Sequence, residues 1–122
     1  MSYSDIIYGI FAFFGADEEF TTERIRIHNA FYELAKENEY KGLFSDITFS
    51  TSEEYHKSVE IDQCIDNLIL SRLITANNPD LVKYQISPGF YKYYNENEKK
   101  LFPEKGELVK EISKNLYTLV GK

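Results

Sequence analysis

The chain has 122 residues, 43% of them hydrophobic, which is enough for one folded core and too apolar for a disordered chain. Its formal net charge of −6 is uneven: residues 1–86 carry 7 Lys and Arg against 15 Asp and Glu (net −8), and residues 87–122 carry 7 against 5 (net +2). A generic polyanion binder needs a basic face, and only the tail could supply one.

Ser4 is placed to cap a first helix, whose apolar residues Ile6, Ile7, Ile10, Phe11 and Phe14 fall at helical spacing before Gly15. The run is also rich in β-branched and aromatic residues, so a strand stays open as the alternative. Asp17-Glu18-Glu19 reads as an acidic loop. Thr21 then caps a second helix, with Phe20 stapled onto Ile25 and with Ile27, Phe31 and Leu34 as the buried stripe, flanked by Ala30 and Ala35. This helix is expected to fade near Glu37–Glu39.

Between residues 40 and 57, Leu43 and Phe44 are core anchors, Ile47-Thr48-Phe49-Ser50 alternates like a short strand, and Thr51-Ser52-Glu53-Glu54 could open a helical turn. Ser58 caps a third helix. Its buried face is Ile61, Cys64, Ile65, Leu68 and Ile69; its open face is Glu60, Gln63, Asn67 and Ser71, flanked by Asp62 and Asp66. Leu73-Ile74 leads into a strand, Asn77-Asn78-Pro79-Asp80 supplies a turn, and Val82, Tyr84 and Ile86 alternate as a second strand. Ser87 caps a fourth helix with Pro88 at its first position, and Phe90, Tyr91, Tyr94 and Leu101 can pack. After Pro103 a terminal helix begins near Lys105; Val109, Ile112, Leu116 and Leu119 form its stripe, widened by Leu108 and Val120. No Pro/Gly-rich linker interrupts the chain, so residues 1–122 read as a single domain: a body over 1–103 and a C-terminal helix over 104–122.

The helix end NLILSRLI, the strand VKYQIS and the SPG that follows resemble the second half of a winged helix-turn-helix domain, over roughly residues 20–95. Gly89 follows Pro88 directly, one residue earlier than in many such regulators. A looser resemblance is to small toxin–antitoxin and defence-operon proteins, including Panacea-type antitoxins, where a helix like TTERIRIHNAFYEL precedes one like IDQCIDNLILSRLI. The resemblance implies a mainly α (α+β) winged-helix-like fold with a small β-hairpin wing and an amphipathic C-terminal helix. It also implies a DNA-binding regulator or antitoxin.

Charge argues against that function. In a DNA-binding winged helix the third helix enters the major groove, and here its first turns carry Glu60, Asp62 and Asp66, which repel phosphate. The leading expectation is therefore a non-enzymatic protein-interaction or regulatory module, with Glu60, Asp62, Gln63, Asp66, Asn67, Tyr91 and Tyr93 meeting a protein partner. The alternative is duplex DNA binding through Arg24, Arg26, Gln63, Asn67 and Lys83, with His28 adding to the basic patch on the second helix. A third class, acidic mimicry of DNA, rests on the −8 segment alone. The terminal stripe of Val109, Ile112, Leu116 and Leu119 reads either as packing within the domain or as a homodimer seam, since cores and obligate interfaces share their apolar character.

Chemistry is not expected, and neither a metal nor a cofactor. His28 and His56 show no ligand spacing with Cys64, Asp46 or Glu54. Cys64 lies on a buried stripe between Asp62 and Asp66, a setting that leaves a thiol inert. Asp62 and Asp66, at i and i+4, repel each other mildly and invite a cationic partner. Tyr84, Tyr91, Tyr93 and Tyr94 with Lys83 and Lys92 are read as core and interface tyrosines rather than a stacking platform for single strands. The lone cysteine and the short, unflanked apolar N-terminal run point to a cytoplasmic protein without a leader or membrane span, and the low ratio of Arg to Lys with many Ile, Asn and Lys hints at a bacterium or phage.

Overall fold

A computed structural model describes residues 2–51, 54–76 and 83–121. Helix α1 (Tyr3–Ala12) starts one turn's edge earlier than the sequence implies, because Ser2 rather than Ser4 is its cap. Ser2 Oγ accepts from the Asp5 N–H and the Asp5 carboxylate accepts from the Ser2 N–H, a reciprocal capping box. Past the helix end the chain turns through Gly15, whose φ of +114° is costly for any residue with a Cβ.

At Glu19, the last residue of the segment read as an acidic loop, an unexpected strand begins, β1 (Glu19–Thr21). It is three residues long, too short for alternation to show. Phe20 is wholly buried on Phe11, ring centroids 5.2 Å apart, while Ile25 is 53% exposed, so the expected staple does not form. Thr21 does not cap α2 (Arg24–Ala35); its Oγ1 accepts from the Glu23 N–H two residues on, and Glu23 holds the cap position without a side-chain bond. Helix α2 stops at Ala35, short of Glu37–Glu39.

Residues 36–46 run as successive turns and 47–50 as irregular chain, which together seat Tyr40, Leu43, Phe44 and Ile47 in the core. No strand forms at Ile47–Ser50. The helical turn expected at Thr51–Glu54 lies partly outside the described residues. Helix α3 (Val59–Leu70) is capped as expected by Ser58, whose Oγ accepts from the Ile61 N–H. Ile61, Cys64, Ile65 and Leu68 are buried; Ile69 is exposed and leaves the expected stripe.

Strands β2 (Ile74–Thr75) and β3 (Lys83–Ile86) complete an antiparallel sheet of order β1-β3-β2. Phe20 pairs with Tyr84 on one side of β3, and Ile74 with Ile86 on the other. The turn expected at Asn77–Asp80, and Val82, lie outside the described residues. Ser87 caps α4 (Pro88–Glu96) with Pro88 in the first turn, and a short α5 (Glu98–Leu101) leads to α6 (Gly106–Val120). Among the described residues the fold is thus mostly helical with one small antiparallel sheet.

Helix α6 is no appendage. It lies against α1 and α2, and Ser113 Oγ donates to the Ile10 carbonyl at 2.6 Å. Val109, Ile112 and Leu116 have no exposed surface, so the homodimer seam expected on them is corrected: this chain's own core already covers them. Of that stripe only Leu119 reaches solvent. Gly9 lets α6 and the Phe102 ring close on α1; a Cβ there would lie 2.5 Å from Phe102 Cζ and 3.4 Å from Val109 Cγ1. Phe102 is itself buried and has little room to retreat. Gly9→Ala is therefore expected to destabilise the fold by about 1–3 kcal/mol, despite alanine's better helix propensity. Urea unfolding checks this, and an unchanged or raised midpoint would contradict the packing described.

Candidate functional site

Two acids of the third helix, Asp62 and Asp66, are bonded to two residues of the second, Arg24 and His28, that the sequence sets against them as a basic patch. Arg24, in the first turn of α2, donates through Nη1 to Asp62 Oδ1 and through Nη2 to Asp66 Oδ1, both at 2.9 Å. Its Nη2 also lies 3.4 Å from the Tyr84 hydroxyl on β3. The i, i+4 spacing of Asp62 and Asp66 places both carboxylates over one guanidinium fork, which relieves their mutual repulsion. Burial works against the Arg24 charge, but the bonds to Asp66, Tyr84 and Asp62 more than offset it and hold the guanidinium even more firmly protonated.

His28 sits one turn further along α2 and is fully buried, not part of a basic surface patch. Its Nδ1 accepts from the Ser58 N–H at 2.9 Å, so it carries no hydrogen. Its Nε2 therefore bears the hydrogen and donates to Asp62 Oδ1 at 2.8 Å. The arrangement looks like an acid–histidine pair but lacks a nucleophile: the position such a group would take is filled by a backbone N–H. Burial alone would raise the Asp62 carboxyl, yet the bonds from His28 and Arg24 hold it below the usual carboxylate range.

Glu60 is likewise engaged, accepting from the Thr48 N–H at 2.6 Å and the Thr48 hydroxyl at 2.9 Å, which ties the 36–57 segment to α3. Asn67 Nδ2 reaches the Tyr8 hydroxyl at 3.4 Å and remains exposed. Gln63 is exposed, and its side chain makes no hydrogen bond to another described residue. Sequence reasoning missed what surrounds it. Val59 and Leu70 are 53% and 81% exposed, and with Gln63 and Asp66 they form an i, i+4, i+7, i+11 stripe along the solvent face of α3. The signal was present, since both residues fall off the buried stripe.

The remaining candidates are scattered. Arg26 is exposed on α2, and its Nε donates to the Leu119 carbonyl at 3.0 Å. Lys83 is half-buried in β3 opposite Thr21. Tyr93 is exposed, edge-on to the buried Tyr94. Tyr91 is half-buried in a separate shallow hollow with Phe13, Asn95, Lys110 and Lys114.

His56 stacks flat on Tyr32 at 3.7 Å, and no group of three His, Cys, Asp or Glu among the described residues is placed to hold a metal ion. Burial pushes the Cys64 thiol up to about 11. Among the described residues no helix is long and apolar enough to cross a membrane. No protein-family model, curated protein or solved structure matches the chain.

Because the Asp62 carboxyl is depressed in the folded state, it stabilises the fold at pH values above the unfolded carboxylate range. That contribution is lost as pH falls through its folded value. Asp62→Asn is expected to lower the urea midpoint at neutral pH and to flatten the fall in stability on acidification. Parallel curves for wild type and variant would contradict the bonding described. His28→Leu strands the buried Ser58 N–H, and is expected to cost about 1–3 kcal/mol, read from the same unfolding experiment.

Proposed function

We propose that this chain is a non-enzymatic protein-interaction module that presents the solvent face of α3 to a protein partner. The observation that carries the reading is the pairing of Arg24 with Asp62 and Asp66. It removes the strongest cation from any DNA-facing surface and quenches the acids that would repel DNA. Outward on α3 are Val59, Gln63, Asp66 and Leu70, with Asn67 and Ile69 beside them: apolar ends around a polar centre. Exposed leucine and valine on an unpartnered helix suit an apolar or mixed protein surface, whereas phosphate is met by cations.

The element order α1-β1-α2-α3-β2-β3, with β3 central in the sheet, supports a winged-helix-like scaffold. That order also favours the second reading, a DNA-binding regulator or antitoxin. In it, Arg26, Gln63, Asn67 and Lys83 would have to supply contacts without Arg24.

Charge reversal at Asp62 is a poor test, because it dismantles the clamp to α2. Leu70→Arg and Gln63→Arg leave the clamp untouched. Affinity recovery quantified by mass spectrometry is expected to yield a partner with wild type that drops about tenfold or more with either variant. Lys99→Glu, on the far α5, is expected to recover it unchanged. Binding to duplex DNA from the chain's own upstream region, titrated against salt, is expected to be absent. Specific duplex binding that survives moderate salt and falls on Gln63→Ala would overturn the protein-partner reading in favour of the regulator.

A further inference from the structure

Helix α2 has an outer, charged face that runs beside the clamp. Its charges fall in an order that inverts about the helix midpoint. Glu23 and Lys36 are equidistant from the centre between Asn29 and Ala30, and so are Arg26 and Glu33. Each pair joins opposite signs. All four side chains are exposed. Arg26 and Glu33, seven residues apart, lie on one face with the half-buried Asn29 between them, about 10 Å apart along the axis.

Two adjoining hollows follow this face. One, about 650 Å³, is lined by Glu23, Arg24, Ile25, Arg26 and Asn29; the other, about 230 Å³, by Arg26, Asn29, Ala30, Glu33 and Leu119. Their apolar contributions, Ile25 and Leu119, are 53% and 43% exposed.

We propose that this face binds a second copy of the chain, with the two α2 helices packed antiparallel about a two-fold axis beside Asn29. An isologous contact requires a surface complementary to its own rotated image. A helix whose charges invert about its midpoint meets that requirement. The rotation sets Arg26 against Glu33 of the partner subunit and Glu23 against Lys36 of the partner subunit, each twice. Ile25 and Leu119 add apolar surface at the flanks. A partner of uniform charge would meet one attractive and one repulsive position at every turn. The Glu33–Lys36 pair within each helix is exposed and weak, so it does not compete strongly. This surface adjoins the outer stripe of α3 at the Arg24–Asp66 bond, which the variants below leave in place, and the inference stands whether or not α3 binds a protein.

Sedimentation equilibrium of the full chain tests it. The weight-average mass is expected to climb from 14.3 kDa toward twice that value as concentration rises from micromolar to near-millimolar. Arg26→Glu and Glu33→Arg alone are each expected to weaken the dimer about tenfold or more, because each converts two attractive contacts to repulsive ones. Carried together in one chain they restore the pairing in reverse and are expected to recover wild-type association within a few-fold. Far-ultraviolet circular dichroism confirms that each variant is folded; Arg26→Glu also loses its bond to Leu119, so Glu33→Arg serves as the independent single variant. A wild type that stays monomeric throughout overturns the proposal. So does a dimer indifferent to the single reversals, or a double variant no stronger than either single one.

Discussion

His28 has no surface in contact with water, and both of its ring nitrogens are bonded. A buried imidazole with a free nitrogen would cost the fold its desolvation. The chain meets this by bringing two distant pieces of backbone to the same ring. The Ser58 N–H arrives from the end of the 36–57 segment, and the Asp62 carboxylate comes from the first turn of α3. The ring therefore fixes where α3 begins and how it is rotated about its axis. Arg24, one turn earlier on α2, then finds Asp62 and Asp66 side by side. The attachment of α3 to α2 follows from these two side chains, four residues apart on one helix, and is closed by the apolar stripe of Ile27, Phe31 and Leu34.

This constraint shapes the surface as much as the fold. With Asp62 turned inward to His28 and Arg24, α3 faces solvent with its less charged side. An acidic recognition helix, as the sequence reads, becomes a helix with a paired acidic flank and an outer stripe of Val59, Gln63, Asp66 and Leu70. The acidic character of the first 86 residues then resides mainly in other exposed side chains, and it does not fall on one concentrated patch of α3. The same pairing takes Arg24 out of the basic set on α2 and leaves Arg26, which answers to Glu33 rather than to phosphate in the arrangement inferred for that helix.

Much of the architecture was legible because its signals are local. Ser58 and Ser87 cap where a serine before an apolar helical pattern should, and Pro88 takes a first-turn position where its missing N–H has no cost. The stripe of α6 is real, yet periodicity cannot tell whether an apolar face meets its own domain or another. Burial assigns Val109, Ile112 and Leu116 to the domain, and excludes them as a seam. Strand β1 escaped notice because it exists only through its pairing with β3, sixty-odd positions away, and three residues carry no period. His28 was read as surface for a similar reason. Its partners are separated from it by about thirty residues, and nothing near it in sequence shows that the ring is enclosed. The Asp62–Asp66 repulsion did point to a cation, and Arg24 is that cation; only its address was hidden.

The most direct test of this account is the ring of His28 itself. Nitrogen-15 NMR of the histidine side chains at neutral pH distinguishes the two neutral tautomers from each other and from the imidazolium. The bonding described predicts a neutral ring with hydrogen on Nε2, coupled to a slowly exchanging Hε2 and a protected Ser58 amide. A ring with hydrogen on Nδ1, or one averaging rapidly between tautomers beside an unprotected Ser58 amide, would contradict the linkage from which the placement of α3 was argued.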